Sequence, residues 1–484
     1  MELVAPAGNF DKLYYAYTYG ADAAYIGLKR FSLRVKADNF YEKEYEKIID
    51  LKKKYPEKKL FCALNISFHN KDIDNFISDL DYFRHYPIDS FIIQDIGMVS
   101  IIQKYFPKAA LHLSTQANCI NREAVKMYKN LGFKRVVLGR EASLAEISEI
   151  KDAVPEMELE VFAHGAMCIA YSGRCLMSAY MNGRSANSGF CSHSCRWEYN
   201  VLSQLPKSGQ LVLEEKERPG EYFPVFEGED FTAVLSSKDL CMIDYLPEMK
   251  AAGVDSLKIE GRMKSIYYVA LVTRAYRKAL DVLEGKITKQ QAAPFVEELY
   301  NASHREFATG FFFSKENANK TTTGASDSPY ELCASIGNSL SDSEEKVIFA
   351  NAQLTEKKRA TELETMHPAA RIAKEADYAA HPEKRPPIIS PKTGYRFYTY
   401  NAMNKVASKD CNANNASNLL EFIAPDVASI SAKDKDYQLI NPETGEILSW
   451  VCHGHPCLIY TNLPLVQGML VRTNNVRFGL EQHR

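Results

Sequence analysis

Short apolar runs alternate with amphipathic helical patterns along the first part of the chain, and this rhythm restricts the folds open to it. ELVAPAG precedes a helical pattern from Asn9 to Tyr19, and LFCALNIS precedes one from about Asp72 to Tyr86. Almost continuously apolar strands separated by helices indicate parallel pairing, with both faces of the sheet covered. About eight such units over roughly 280 residues predict an α/β fold, a TIM-type (βα) barrel, better than an open Rossmann sheet.

The pattern also predicts where the domains begin and end. Residues 1–310 carry the barrel pattern, which a β-rich insertion interrupts at about 197–240, and a polar linker follows at 311–330. Residues 331–484 contain short apolar runs between turn residues, among them ELCASIGN, KVIFANAQL and GMLVRT. Such runs predict the strands of a small C-terminal β-barrel. The segment at about 355–416 fits neither pattern and stays unassigned, apart from a partly helical character.

Composition excludes few functions but limits the kind of site. The 484 residues exceed one ordinary core, and the formal net charge is only -2, so a nucleic-acid site must be a local basic patch. The N-terminus lacks the pattern of a secretory signal, and no apolar run reaches membrane-spanning length. We therefore expect a cytoplasmic chain without membrane association. In a reducing compartment its eleven cysteines are expected to be thiols or metal ligands.

The carboxyl ends of the predicted barrel strands are mostly polar, which favours a site at that mouth of the barrel over a solvated rim. These residues are Pro6, Ala7, Gly8, Gly27, Asn65, Ser67, Gln94, Asp95, Ser114, Thr115, Gln116, Asn118, Arg140, Glu141, His164, Glu260, Arg262 and Lys264. Two basic runs, KRFSLRVK and the segment from Lys258 to Lys278, follow strand ends. Each alone is typical of a solvated face, whereas together they could attract a phosphate backbone or a small anion.

Cysteines are concentrated in one polar segment after the seventh predicted strand. A catalytic thiolate with His164 or His193 as its base would account for only one of them. A zinc site suits the spacing of the last two cysteines but not the wider gap between the first two. An iron–sulfur cluster tolerates irregular spacing and is modestly favoured over zinc. The cysteines are Cys168, Cys175, Cys191 and Cys195.

The segment EVFAHGAMCIAYSGRCLMS closely resembles the signature of the collagenase-like peptidase family, peptidase family U32, and MELVAPAG, DAAYIG, SSKDLC and SLKIEGRMKS support the match. The resemblance covers about residues 1–310, and ERPGEYFPVFE is most similar to the branch that modifies transfer RNA. It implies oxygen-independent hydroxylation of the tRNA wobble uridine at carbon 5, with prephenate as the hydroxyl donor. Hydroxylation of ribosomal RNA and proteolysis are the alternatives, although neither His-Glu-x-x-His nor Gly-x-Ser-x-Gly occurs. A non-enzymatic RNA-binding module is a further possibility.

The same resemblance implies an iron–sulfur cofactor, expected to be 4Fe-4S, bound by the cysteines named above, with Cys241 as an alternative ligand. We hypothesise that basic residues receive the dicarboxylate co-substrate and the tRNA phosphates, and that polar residues near the strand ends hold the base. The basic residues are Arg34, Arg140, Arg174, Arg262 and Lys264, and the catalytic set comprises Gln94, Gln116, Arg140, His164 and Glu260. The sequence predicts no particular oligomeric state.

Overall fold

The computed structural model divides the chain into two compact units, Met1–Ser326 and Asp327–Arg484. In the first unit it describes residues 1–28, 31–33, 38–41, 43–168, 170–183, 186, 190–197, 199–202, 212–216, 219–220, 222–224, 227–228, 231–232 and 237–314. In the second unit it describes residues 328–380, 393–400, 403–404, 420–433, 436–448, 450–451 and 454–474. Arg34 lies outside the described residues.

The strands of the first unit confirm the predicted TIM-type barrel. They are β1 (Glu2–Pro6), β2 (Ala23–Ile26), β3 (Lys59–Leu64), β4 (Ser90–Ile93), β5 (Ala110–Leu113), β6 (Phe133–Val137), β7 (Glu158–Ala166), β8 (Tyr199–Leu202), β9 (Val212–Glu215), β10 (Tyr222–Pro224), β11 (Glu227–Gly228), β12 (Phe231–Thr232), β13 (Asp239–Cys241), β14 (Ser256–Ile259) and β15 (Phe307–Ala308). Within the described residues, β1 to β7 and β14 pair in parallel, and β14 contacts both β1 and β7, which closes the barrel. The short strands β8 to β12 form antiparallel pairings in the insertion, and β13 pairs with β7.

Helices follow the barrel strands, and several begin at the residues that the sequence suggests. They are α1 (Phe10–Thr18), α2 (Glu44–Lys54), α3 (Asn70–Ser78), α4 (Leu80–Arg84), α5 (Met98–Tyr105), α6 (Arg122–Asn130), α7 (Leu144–Ala153), α8 (Met177–Asn182), α9 (Leu246–Ala251), α10 (Ile266–Leu283) and α11 (Lys289–Glu297). Asn9 caps α1, and Ser143 caps α7 with Glu146 in a capping box. No helix in the described ranges is both long and apolar enough to cross a membrane.

The helix expected from about Asp72 to Tyr86 is two helices, so the prediction of one continuous helix was wrong. The chain breaks between α3 and α4, at Asp79. Phe76 and Phe83 lie on either side of the break, and both are buried, with ring centroids 5.0 Å apart. The apolar periodicity, which places residues seven apart on one face, does not show such a break.

An ionic network lies inside the barrel, at the seam where β14 meets β7. Glu160 is fully buried and accepts hydrogen bonds from Lys258 Nζ at 2.6 Å and from Arg135 Nη1 at 2.8 Å. Ser256 Oγ adds a third donor at 3.2 Å. Burial alone would raise the pKa of the Glu160 carboxyl, but Lys258 and Arg135 outweigh it and lower the pKa to about 2. The basic run that begins at Lys258 is thus buried at its start and is not a solvated face.

The second unit is built on an antiparallel sheet. Its elements are β16 (Tyr330–Ser339), α12 (Asp342–Thr365), α13 (Pro368–Ala380), β17 (Thr393–Thr399), β18 (Met403–Asn404), β19 (Leu420–Ala424), β20 (Val427–Ala432), β21 (Tyr437–Ile440), β22 (Trp450–Val451), β23 (Leu458–Thr461) and β24 (Leu470–Asn474). In the described part of this unit, seven strands pair in the order β20, β19, β24, β16, β17, β23, β21, which forms a half-barrel.

The strand predicted for KVIFANAQL was wrong, because this run lies within α12. Ser341 and Glu344 form a capping box just before it, and Ile348 is buried whereas Val347 is mostly exposed. Because Ile348 is buried but Val347 is exposed, this part of the helix makes few contacts with the core. The Ser-x-x-Glu pattern was the signal that favoured a helix.

We predict that Glu160→Gln destabilises the barrel by about 3–5 kcal/mol, because it leaves the buried ammonium of Lys258 without its counter-charge and removes one of the carboxylates that pair with Arg135. Denaturant unfolding at pH 7, followed by circular dichroism, would measure the loss. Glu158→Gln is the matched control. Glu158 also pairs with Arg135, at 2.7 Å, but its side chain is half exposed, so its loss should cost about 0–1 kcal/mol.

The difference in stability between the wild type and Glu160→Gln depends on pH in a definite direction. A carboxyl whose pKa is lowered by folding stabilises the fold above its unfolded pKa, about 4.3. That contribution disappears as the pH falls through the folded value of about 2. The wild type and Glu160→Gln should therefore differ fully above pH 5 and converge toward pH 2. Equal stability of the two proteins at pH 7 would contradict the role given to Glu160.

Candidate functional site

A cavity opens at the carboxyl ends of the barrel strands, where the sequence predicts a site. We call it the barrel-mouth cavity. Its wall carries cationic and polar side chains from several strands, together with the carboxylate of Glu260. Among the residues of this wall are Tyr25, Asn65, Gln116, Arg140, Phe162, Lys258, Glu260 and Arg262. In the described part of this wall the cations outnumber the acids, which suits a small anion.

A second cavity, of about 280 Å³, adjoins the first, and we call it the cysteine cavity. Sulfur-bearing, aromatic and charged side chains line it. Among them are Cys168, Cys175, Cys191, Cys195, Tyr171, His193, Met263 and Lys264. Gln116, Arg140 and Glu260 line both cavities. The segment rich in cysteine thus lies directly beside the barrel mouth.

Hydrogen bonds dock the turn between Cys168 and Cys175 onto the barrel. Ser172 N donates to Glu141 Oε1 at 2.8 Å, and Arg140 N donates to Ser172 Oγ at 3.4 Å. Asn118 Nδ2 holds the other carboxylate oxygen of Glu141 at 3.2 Å. Residues at the ends of β5 and β6 therefore fix the position of the first two cysteines.

Gly173 makes this docking possible because no side chain fits at its position. A Cβ atom there would lie 2.0 Å from the carbonyl oxygen of Gln116, and its φ of +75° is one that L residues rarely adopt. The backbone of the turn consequently lies directly against Gln116, a residue shared by both cavities.

The sulfur atoms of the cysteine cavity influence one another. Burial raises the pKa of the Cys175 thiol, and the nearby sulfurs of Cys168 and Cys191 raise it further. Ser178 Oγ lies 3.8 Å from Cys191 Sγ as a hydrogen-bond donor. No disulfide joins the cysteines in the described ranges. The same ranges contain no group of three His, Cys, Asp or Glu side chains placed to hold a single metal ion.

Arg140 lies at the junction of the two cavities. Its guanidinium stacks 3.9 Å from the centre of the Phe162 ring, and its buried Nε has no hydrogen-bond partner among the described residues. Stacking on an aromatic face fixes the plane of a guanidinium while leaving its N–H groups directed at other acceptors. This geometry leaves Arg140 able to bind an anion in either cavity.

Opposite Arg140, the closing strand supplies further groups. The Tyr25 hydroxyl lies 3.0 Å from the carbonyl oxygen of Ile259 and 3.2 Å from Glu260 Oε2, the two acceptors for its one proton, and Lys258 Nζ lies 4.5 Å from the centre of the Tyr25 ring. Arg262 Nη2 donates to Ser32 Oγ at 2.5 Å. A Cβ atom at Gly27 would lie 2.0 Å from Arg262 Nη1, so the glycine provides the space that this side chain occupies.

The other residues predicted for the site differ in where they lie. Gln94 donates to the backbone oxygen of Asn65 at 3.0 Å and does not line either cavity. Lys264 lines the cysteine cavity and donates to Ser303 O at 3.0 Å. Arg174 is exposed, next to Cys175 on the outer side of the turn. Arg34 cannot be assigned a position, because it lies outside the described residues.

His164 packs away from both cavities. Its ring centroid lies 5.5 Å from Tyr276 and 5.2 Å from Phe307, and burial lowers its pKa to about 3. Its Nδ1 has no hydrogen-bond partner within the described ranges. The imidazole is therefore neutral at physiological pH and belongs to an aromatic cluster. The base-holding role predicted for it stays a prediction.

Cys241, the alternative cysteine ligand, lies on β13 outside the cysteine cavity. Its Sγ is 4.0 Å from the hydroxyl of Tyr276, and burial raises the pKa of its thiol to about 11. It pairs with His164 across the sheet. The cavity thus brings together the first four predicted cysteines and leaves Cys241 apart from them.

The sequence did not single out Lys258, Tyr25 or Phe162 as residues of the site. A signal for Lys258 existed, since LKI places one charge in the middle of an otherwise apolar strand, as LEV does around Glu160. Charges in such strands are buried and must be paired. Nothing comparable distinguishes Tyr25 or Phe162 from ordinary core aromatics.

A closed parallel barrel with charged groups and a cysteine-lined cavity at its carboxyl mouth is an architecture typical of barrel enzymes. Residues 8–322 match the sequence profile of peptidase family U32, and the chain belongs to this family.

Relatives within the matched region include proteins named for RNA hydroxylation. The tRNA hydroxylation protein P of Escherichia coli (strain K12) is 39% identical over 337 residues, which cover 64% of this chain and 74% of the relative. The tRNA hydroxylation protein P1 of Bacillus subtilis (strain 168) is 40% identical over 315 residues, covering 64% and 70%. The 23S rRNA 5-hydroxycytidine C2501 synthase of Escherichia coli (strain K12) is 32% identical over 343 residues, covering 70% and 48%.

We predict that Gly173→Ala detaches the turn from the barrel, because the new methyl group overlaps the Gln116 carbonyl. In reduced, metal-free protein, the rate of alkylation of Cys175 should rise several-fold, as measured by mass spectrometry of the labelled peptide. Gly183→Ala is the control. Gly183 also has a positive φ, of +69°, but nothing lies within 4 Å of a Cβ atom there. Equal alkylation rates in the two variants would contradict the docking role of Gly173.

Proposed function

We propose that this chain is an RNA-modifying enzyme that hydroxylates transfer RNA. The proposal rests on one observation. A cavity lined by cysteines and a cavity lined by cations share the residues Gln116, Arg140 and Glu260. Relatives named for hydroxylation of tRNA and for synthesis of 5-hydroxycytidine in ribosomal RNA support this class of chemistry.

The finer proposal concerns the reaction. We infer that the target is carbon 5 of the wobble uridine of tRNA and that prephenate, a dicarboxylate, is the hydroxyl donor. This rests on the resemblance of the signature segments to the tRNA-modifying branch. The cationic wall of the barrel-mouth cavity agrees with an anionic co-substrate. The cytoplasm, where tRNA is found, is the compartment that the reaction implies.

We propose that Cys168, Cys175, Cys191 and Cys195 hold an iron–sulfur cluster of the 4Fe-4S type. Thiolates are the ligands that such clusters require, and a cluster places its ligands farther apart than one metal ion does. A cavity of about 280 Å³ with thiols around its wall fits a group of that kind. When bound, a cluster supplies electron transfer, or a Lewis acid if one iron lacks a cysteine ligand.

The protein's own residues would position the reactants at the junction of the cavities. Arg140 and Arg262 would bind the carboxylates of the donor, because both line the barrel-mouth cavity and guanidinium groups suit carboxylates. Gln116, which lies between the cavities, would hydrogen-bond the edge of the uracil ring. Glu260, whose carboxylate lies 3.2 Å from the hydroxyl of Tyr25, would accept or return a proton there.

The proposed function predicts that the cavity cysteines are required both for iron binding and for tRNA hydroxylation. Anaerobically purified Cys175→Ser and Cys191→Ser should lose most of their iron and acid-labile sulfide, together with visible absorption. In a strain that lacks the chain's gene, neither variant should restore 5-hydroxyuridine-derived nucleosides in tRNA, measured by mass spectrometry of the digested tRNA. Cys333→Ala, which removes a buried thiol on β16 of the second unit, should retain iron and activity.

Each alternative has its own result in this experiment. Normal tRNA and a missing 5-hydroxycytidine in ribosomal RNA of the deletion strain would replace tRNA by ribosomal RNA as the substrate. Unchanged nucleosides in both RNAs, with full iron in Cys175→Ser, would contradict the proposal. Loss of iron from Cys241→Ser but not from Cys195→Ser would make Cys241 the fourth ligand.

We also predict that Arg140→Gln raises the KM for prephenate by about tenfold or more, because one charge-assisted hydrogen bond to a carboxylate is lost. Initial rates with a tRNA substrate and increasing prephenate concentration would measure it. Arg122→Gln serves as the control, since Arg122 lies on the outer helix α6 and pairs with Glu149. An unchanged KM in Arg140→Gln would remove this residue from the binding site of the donor.

A further inference from the structure

Large apolar side chains are exposed around the cysteine cavity, outside the hydrophobic core of the barrel. Tyr171, Leu176 and Tyr180 are 64%, 74% and 78% exposed, and Phe190 and Met263 are each 47% exposed. Tyr171 and Met263 line the cavity itself. We call these residues the aromatic rim.

The orientation of α8 explains why two of these side chains face solvent. Ser178 of α8 is buried, and its hydroxyl contacts Cys191 Sγ. Leu176 and Tyr180 lie four residues apart and therefore share one face of the helix, which points away from Ser178. The same contact that fixes the cysteine keeps Tyr180 projecting outward beside the cavity. Exposed rings of this size in one place mark an interaction surface rather than ordinary packing.

The charges beside the rim indicate the chemistry of its partner. Arg174 is exposed between Tyr171 and Leu176 along the chain, while Arg140 and Lys264 lie in the cavity wall. Alternating aromatic rings and cations suit unpaired nucleic acid, because each base offers a π-face for stacking and each phosphate a negative charge. Paired RNA keeps its bases stacked inside the helix and cannot use such rings.

We propose that the aromatic rim binds the unpaired nucleotides on either side of the target base, with Tyr171 and Tyr180 stacking on bases and Arg174 facing the backbone. The inference rests on the proposed RNA-modifying function and adds how the RNA is held. It makes an unpaired loop a requirement for substrate binding. The target base enters the cysteine cavity between the stacked neighbours.

The test compares two fluorescent RNAs, a stem–loop with an unpaired loop and a fully paired duplex of the same length. Their affinities for the full-length, anaerobically purified chain are measured by anisotropy. The wild type should prefer the stem–loop. The double variant Tyr171→Ala/Tyr180→Ala should bind the stem–loop at least about tenfold more weakly, because two stacking contacts are lost. Its preference over the duplex should disappear, whereas Tyr171→Phe/Tyr180→Phe should bind like the wild type.

Controls separate this role from folding and from self-association. Met127→Ala removes a side chain that is 62% exposed on the outer helix α6 and should leave both affinities unchanged. All variants should keep the wild-type circular dichroism, iron content and mass in solution. The inference is overturned if the double alanine variant binds the stem–loop normally or loses affinity for both RNAs equally. A change of mass without a change of RNA affinity also overturns it and makes the rim a contact between copies. A wild type that binds neither RNA contradicts the proposed function itself.

Discussion

The buried carboxylate of Glu160 is the interaction on which the barrel and its site depend. It lies between Lys258 and Arg135, so it ties β7 to the closing strand β14 and to β6 at once. A buried charge is tolerated only when its partners and hydrogen bonds are complete, and here Ser256 supplies a further donor. The Lys258 ammonium that pairs with Glu160 also lies 4.5 Å from the centre of the Tyr25 ring, and the Tyr25 hydroxyl is within hydrogen-bond distance of Glu260 at the mouth.

Hydrogen bonds and close packing attach the cysteine segment to the barrel. The turn that carries the first two cysteines is held by Glu141 and pressed against Gln116 through Gly173. The groups that position the turn are thus neighbours of those that face the barrel mouth. Under the proposed function, a small anionic donor and an RNA base would approach Arg140 and Glu260 from opposite cavities.

Sequence periodicity predicted the barrel, its polar mouth and the cysteine segment after the seventh strand, because burial on both faces imposes a recognisable pattern on parallel strands. It could not predict the placement of His164. The register of β7 against β14 shifts between Lys258 and Ile259, so the strict alternation that keeps Glu160 and Phe162 inside the barrel is broken before His164. The apolar run within α12 was predicted as a strand for a different reason. A short apolar run has the same composition in a strand and in a helix, and only its cap distinguishes them.

The position of the closing strand also has a consequence for the order of synthesis. The ribosome completes the cysteine segment before it reaches β14, which supplies Lys258 and leads to Glu260 and Arg262. Contacts such as those of Tyr25 with Glu260 and of Ser32 with Arg262 join residues more than two hundred positions apart and form late. A nascent chain therefore carries its cavity thiols for a period without the wall that encloses them.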